Sequence, residues 1–383
     1  MFLPEPGSKG QSREFEDFYA PEMRIIGQIV RPAVEEFLFG FLRGQGSEIE
    51  GWSVTRCHEY LNDLPRSQID TTSRIVEAVL SSVNPGRAVR NLLAQFSVDF
   101  LSEGSAIARK VMGNFGEVQS SLFRIFIDEY GGGVHSKKHS TLFERLLGAN
   151  GLDCRPFAYW NHTLAASFGV PNLFQCLAAN HREFFRYVGA VYYAETTYYH
   201  FCQQISEMLK RVFGAGAETE YFDEHYEMDQ KHSQIAFDEL VCPLTSRFDE
   251  AAARGIVHGY EAFRIVSELF EQSFVIQLQA IDDQAVQTVT PDTLPLATGS
   301  KLSDSRRQKP ANFATTSTTE DYPVLYLVRE GTMDVVLGLE AQVRLEPGSG
   351  VIVPKSVLHW LDGPGVCVYE TYQVCSPESQ TDQ

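Results

Sequence analysis

Positive charge, paired cysteines and long apolar runs are all scarce in this chain, and each scarcity excludes a class of protein. Only 32 lysines and arginines stand against 50 aspartates and glutamates, a net charge of −18. That balance argues against nucleic acid or an anionic membrane surface as partner. The seven cysteines are scattered, with no C-x2-C pair, so they read as reduced thiols rather than a disulfide framework or structural zinc site. No run reaches the ~18 apolar residues of a membrane-crossing helix. The opening "MFLPEPGSKGQSREFEDF" lacks the charged and apolar regions of a signal peptide. These features predict a cytoplasmic protein. Histidine is also rare, ten in 383 residues. Where they fall therefore carries information.

From Phe18 to about Gln279 apolar residues recur at intervals of three and four, as in "MRIIGQIVRPAVEEFLFGFLRG" and "SSLFRIFIDEYG", which predicts a mostly α protein. "RAVRNLLAQFSVDFLSEGSAIARKVM" continues in the same helical period. The stretch 282–321 is polar and lacks apolar periodicity, and reads as an irregular linker. Beyond it, short runs such as "YPVLYLV", "GTMDVVLG" and "GVIVP", broken by glycine and proline, predict a small β domain. The expected division is an N-terminal helical extension over 1–60, a helical domain over 61–281, the linker over 282–321, a β domain over 322–375 and a tail over 376–383.

In "YFDEHYEMDQKHSQIAFDEL", His225, Asp229 and His232 occupy positions i, i+4 and i+7 of one helical face. Imidazole and carboxylate together suit iron, manganese or zinc; a solvated, charged helix face is the plainer alternative. Three further carboxylates lie in apolar segments where a bare charge is costly. Glu103 sits in "VDFLSEGSAI", Glu129 ends "SSLFRIFIDE", and Glu195 is surrounded by tyrosines in "GAVYYAETTYYHF". Glu103 and Glu129 could equally face solvent near helix ends. Three consecutive glycines follow Glu129, each costing about 1 kcal/mol against alanine inside a helix. They predict an unwound segment, with the helix resuming near His139. His135 and His139 are spaced to face one site, whereas His200 lies on a different helical face from Glu195.

Taken together, Glu103, Glu129, the glycine break, His139, Glu195 and His225-x3-Asp229-x2-His232 resemble the heme-oxygenase-like diiron oxidase and oxygenase family. The resemblance is to members that oxidise nitrogen and carry a C-terminal cupin, and it covers roughly Thr71 to Ala280. It implies a heme-oxygenase-like helical bundle followed by a small cupin-like β-barrel. It also implies two iron ions per chain, cycling between Fe(II) and Fe(III), held by Glu103, Glu129, His139, Glu195, His225, Asp229 and His232. Glu195 falls where N-oxygenating members carry an additional carboxylate, which makes it the expected catalytic residue; His135 has no place in the pattern. Ser136 stands where some members have a glutamate, a departure from the branches that decarboxylate or cleave C–C bonds.

The expected activity is O2-dependent oxidation of a nitrogen in a small amine, guanidine or amino-heterocycle, giving a hydroxylamine, nitroso or nitro product in secondary metabolism. An external electron donor and a homodimer complete the expectation. The alternative keeps the metal pair but performs C–C cleavage, decarboxylation or desaturation of an amino or fatty acid. In the β region, "PGSGVIVPKSVLHWLDG" resembles a second cupin motif with His359 as its ligand, but "TSTTEDYPVLYLVREG" supplies no histidine for the first. A degenerate cupin with a packing role is therefore expected.

Overall fold

A computed structural model of the chain describes residues 20–43, 51–68, 71–102, 104–112, 116–282, 287–289 and 300–374. The helices are α1 (Pro21–Phe39), α2 (Val54–Gln68), α3 (Arg74–Ser81), α4 (Pro85–Phe100), the single turn α5 (Ser105–Ala108), α6 (Glu117–Glu129) and α7 (His139–Ala149). They continue with α8 (Ala165–Ala179), α9 (Phe184–Phe213), α10 (Glu220–Ile235) and α11 (Cys242–Asp282). A π-helical stretch, Ala236–Val241, joins the last two, and α11 is kinked where Asp249 leaves helical geometry.

Local chemistry explains several boundaries. Asn84 caps α4 by accepting from the Arg87 amide at 3.0 Å, with Pro85 preset in the first turn. Asn180 separates α8 from α9 by accepting from the Arg182 amide at 3.1 Å. The helical period read across this stretch covers two helices: α4 ends at Phe100, and Gly104 takes a positive φ of 76° before α5. That conformation is open to glycine and closed to a continuing helix. The bundle is centred on α9 and α11, which cross closely because two glycines omit their side chains. A Cβ on Gly189 would run into the Ile256 carbonyl, and one on Gly259 into that of Arg186.

Among the described residues the β domain has two antiparallel sheets. One runs β1 (Gln287–Val289), β7 (Gly350–Val353), β4 (Val324–Glu330), β9 (Cys367–Gln373), β2 (Ser300–Lys309). The other runs β3 (Phe313–Ala314), β8 (Trp360–Gly363), β5 (Met333–Gly338), β6 (Ala341–Leu345). Val324, Val328, Met333, Val335, Leu361 and Tyr369 from both sheets share one core. Three of these strands, β1 to β3, lie in the stretch expected to be an irregular linker. They pair at sheet edges, with β2 bulged between Lys301 and Arg306 against β9. Edge pairing needs backbone hydrogen bonds rather than an apolar period, so the composition did not betray it.

Buried amides fix the β domain to the bundle. Gln277 of α11 donates to the carbonyls of Leu337 at 2.5 Å and Leu358 at 2.9 Å, and accepts from the Leu358 amide at 2.7 Å. Asn91 of α4 bridges to both the amide and the carbonyl of Leu339. Among the described residues no helix is long and apolar enough to cross a membrane.

Candidate metal centre

The six described residues of the expected ligand set come from four helices and are buried, none more than 8% exposed. Glu129 ends α6, His139 begins α7, Glu195 lies midway along α9, and His225, Asp229 and His232 share the inner face of α10. The glycine break does what its composition predicts: Gly131–Gly133 and His135–Lys137 form two short 3-10 turns, folded back so tightly that a Cβ on Gly131 would strike Lys137. His135 stays exposed on the second turn. Glu103 lies outside the described residues.

The donor atoms form two trios that share one carboxylate. Glu129, His139 and His225 bring ligand atoms within 4.8 Å of one another, and so do Glu129, Asp229 and His232. In the first, His139 Nδ1 is 2.9 Å from Glu129 Oε2 and 3.1 Å from His225 Nε2. In the second, His232 Nδ1 lies 3.6 Å from Asp229 Oδ1 and 3.9 Å from Glu129 Oε1, with Glu195 Oε2 at 3.2 Å. The two oxygens of Glu129 thus face different trios. A carboxylate can bridge two cations in this way.

The far ring nitrogens set which atoms are free to bind. His225 donates from Nδ1 to the Tyr221 carbonyl at 2.7 Å, leaving Nε2 toward the site. His232 Nε2 lies 3.2 Å from Asp128 Oδ2, leaving Nδ1 toward the site. Outer hydrogen bonds of this kind fix tautomer and orientation in metal-binding histidines. Asp128 was not among the residues that the sequence singled out. Its side chain is 37% exposed and it follows no inward period, so the adjacent Glu129 and the glycine break were the only cue.

Without a cation this arrangement is electrostatically frustrated. Burial pushes the Glu129 carboxyl up from 4.5 to about 7, with the Glu195 charge adding to it. Burial likewise pushes Asp229 up from 3.8 to about 7. For His232, burial works downward, but the combined pull of Glu195, Asp229 and Glu129 wins and raises it to about 12. Protons are standing in for positive charge. Glu129 Oε2, Asp229 Oδ1 and His232 Nδ1 are all buried, yet none makes a hydrogen bond of acceptable geometry. Such orphaned atoms are costly unless something else satisfies them. A pair of divalent cations fits this donor set.

A cavity of about 90 Å³ opens onto Glu129, Glu195, His225 and Asp229, walled by Phe100, Ile107, Phe174, Val191 and Phe263. Asp99, Phe100 and Tyr198 also line a second cavity of about 380 Å³. In the β domain, His359 is 1% exposed and both its ring nitrogens are engaged. Nδ1 donates to the Val357 carbonyl at 2.9 Å and Nε2 accepts from the Tyr326 hydroxyl at 2.7 Å. This histidine is built into the core of the sheet domain.

Comparison with known proteins agrees with the site chemistry. Residues 90–264 match the family model described as iron-containing redox enzyme. A nitrosourea synthase from Streptomyces achromogenes subsp. streptozoticus is 35% identical over 380 residues, covering 98% of this chain and 80% of that protein. Among solved structures, a CADD-like protein of unknown function from Nostoc punctiforme is 14% identical, covering 59% of this chain and 95% of its own, with a TM-score of 0.45. A cupin superfamily protein from Desulfitobacterium hafniense is 16% identical, covering 24% of this chain and 78% of its own, with a TM-score of 0.18. Identity at this level over nearly the whole chain, with the family model lying across the helices that bear both trios, means that the chain belongs to the heme-oxygenase-like family of iron-containing redox enzymes and is an oxidoreductase.

Proposed function

We propose that the protein is a non-heme diiron N-oxygenase, which uses O2 to oxidise a nitrogen of a small amine, guanidine or amino-heterocycle in secondary metabolism. The observation that carries the diiron half is the sharing of Glu129 between two ligand trios. The N-oxygenase half is supported by the 35% identity to a nitrosourea synthase, since a nitrosourea bears an oxidised nitrogen. In this reading Glu129, His139, His225, Asp229 and His232 would hold the pair of ions. Glu195 is the additional carboxylate, and Glu103 completes the set. Bound there, two ferrous ions would supply the electrons needed to activate O2. An external electron donor is part of the proposal.

The chain's own groups do the rest. Phe100, Phe174 and Phe263 give apolar walls to the cavity where the nitrogen must sit. A protonated amine has no lone pair to offer, so its proton must first leave. Among the described residues Asp99 is the one lining carboxylate outside the ligand set, and we assign it as acceptor of that proton. A homodimer belongs to the proposal, supported by α1, which leaves Ile25, Ile29 and Phe37 exposed.

The test is anaerobic loading with Fe(II), iron analysis, and mass spectrometry of products after exposure to O2 and a library of small amines, guanidines and amino-heterocycles. Products carrying new N–O bonds are expected, with Asp99→Asn forming them more slowly at unchanged iron content. Products that are desaturated, decarboxylated or cleaved at carbon would replace this reading with the alternative.

A further inference from the structure

Five oxidisable rings connect α2 to the cavity beside the metal centre. Ring centroids are separated by 5.1 Å from Trp52 to Tyr60, 6.5 Å to Tyr260, 5.1 Å to Tyr193 and 6.4 Å to Tyr198. Tyr198 then lines the cavity together with Glu129, Glu195 and Asp229. At the outer end Tyr60 is only half-buried, and the exposed Arg56 stacks over Trp52 at 4.5 Å. We infer that Trp52, Tyr60, Tyr260, Tyr193 and Tyr198 form a conduit that carries single electrons inward from the protein surface to the metal centre. This rests on the diiron reading above.

Packing alone does not explain these residues. Phe174, Phe263, Phe237 and Phe248 fill the surrounding core without hydroxyls. Tyr260 is fully buried and its hydroxyl has no hydrogen-bond partner. An orphaned buried hydroxyl costs about 1–3 kcal/mol, so phenylalanine would serve the core better there. A ring that gives up an electron readily needs to be tyrosine or tryptophan. The second unexplained feature is Glu261, which is 3% exposed on α11, outside both ligand trios. Its Oε1 accepts from the Tyr60 hydroxyl at 2.6 Å, and Arg264 grips the same carboxylate at 2.7 Å. A buried ion pair is weak evidence of stabilisation. Beside a tyrosine, however, it is a proton acceptor in position.

The step balances as follows. Tyr60 loses one electron, and its O–H bond breaks with the proton passing to Glu261. The electron moves through Tyr260, Tyr193 and Tyr198, each left in its original state, and reduces the O2-oxidised iron site by one electron. An external one-electron donor then reduces the Tyr60 phenoxyl, which takes its proton back from Glu261. When substrate is absent, the same route drains oxidising equivalents from the centre before they attack its ligands.

The experiment uses the full-length Fe(II)-loaded protein mixed with O2 without substrate or donor, freeze-quenched and read by electron paramagnetic resonance. Iron content and O2 uptake are measured on the same samples. A tyrosyl signal that narrows on ring-deuterated tyrosine is expected. It should be lost from its original site in Tyr60→Phe, and mostly lost in Tyr193→Phe, with iron content and O2 uptake retained in both. Glu261→Gln should shorten its lifetime. Normal O2 uptake without an organic radical, or a signal unchanged in Tyr60→Phe, overturns the conduit alone. Failure of the wild-type protein to bind iron or take up O2 overturns the diiron reading, and the conduit falls with it.

Discussion

Replacing Glu129 by glutamine should move the stability of the metal-free and metal-loaded protein in opposite directions. In the metal-free fold, burial above all raises this carboxyl from 4.5 to about 7. A shift of that size corresponds to roughly 3 kcal/mol at 1.36 kcal/mol per unit. Because the folded value is the higher one, its contribution to stability is fully present below about 4.5 and is lost as pH rises through about 7. At about pH 8 the wild type therefore bears the whole cost of a buried charge, and the amide bears none. In EDTA, Glu129→Gln should melt higher there, by at most about 6–12 °C on the usual scaling for a domain of this size. The gain should vanish near pH 4. With Fe(II) the order inverts, because the amide removes the charge and the ligand common to both trios. Iron should fall from about two per chain to less than one. Helix melting by circular dichroism, with and without Fe(II), reads both arms. If the EDTA-treated variant kept native helix content but melted at or below wild type at the higher pH, the account of a frustrated, charge-crowded site would be wrong.

Iron uptake should release protons and weaken as pH drops below about 7, where Glu129 and Asp229 hold protons that compete with the metal; isothermal titration in buffers of different ionisation enthalpy measures this. His359→Ala should leave iron content unchanged while destabilising the β domain by about 2–4 kcal/mol, because it opens a cavity and orphans a buried hydroxyl. Urea melts followed by tryptophan fluorescence, with iron analysis alongside, test both halves. Glu103→Gln should reduce iron retention on gel filtration without lowering metal-free stability, whereas retention of both ions would remove Glu103 from the ligand set.

The legible parts of the site were those whose geometry is local. His225, Asp229 and His232 meet because a helix repeats every 3.6 residues, and that period is visible in the sequence. The glycine triplet announced a break in the helix, and His139 is the first residue of the helix that follows it. Glu195 stood out because a charge among tyrosines and apolar residues has a burial cost that must be met. What could not be read depends on tertiary contact. Asp128 matters only because His232 Nε2 reaches it from another helix. The same holds for Tyr60 and Glu261, 201 residues apart and joined by one hydrogen bond. The strands β1 to β3 were hidden for a related reason, since their partners, not their own side chains, decide their conformation.

Helix interruption, rather than helix continuity, is what lets the ligands converge. Glu129 and His139 are ten residues apart, about 15 Å along an unbroken helix. Their donor atoms lie 2.9 Å apart because the glycine turns fold the chain back on itself. The end of α4 invites the same argument. Past Leu101 the chain leaves the helix, and at Gly104 it runs so close to α6 that a Cβ there would stand 3.2 Å from Cβ of Glu129. Had α4 continued, each residue would have carried the chain about 1.5 Å further along its axis instead. On the proposed diiron reading, Glu129, Glu195 and Asp229 would leave two ferrous ions one negative charge short of neutrality. Asp128, more than a third exposed and turned to His232 Nε2, is too well solvated to supply it. The proposal assigns the fourth carboxylate to Glu103.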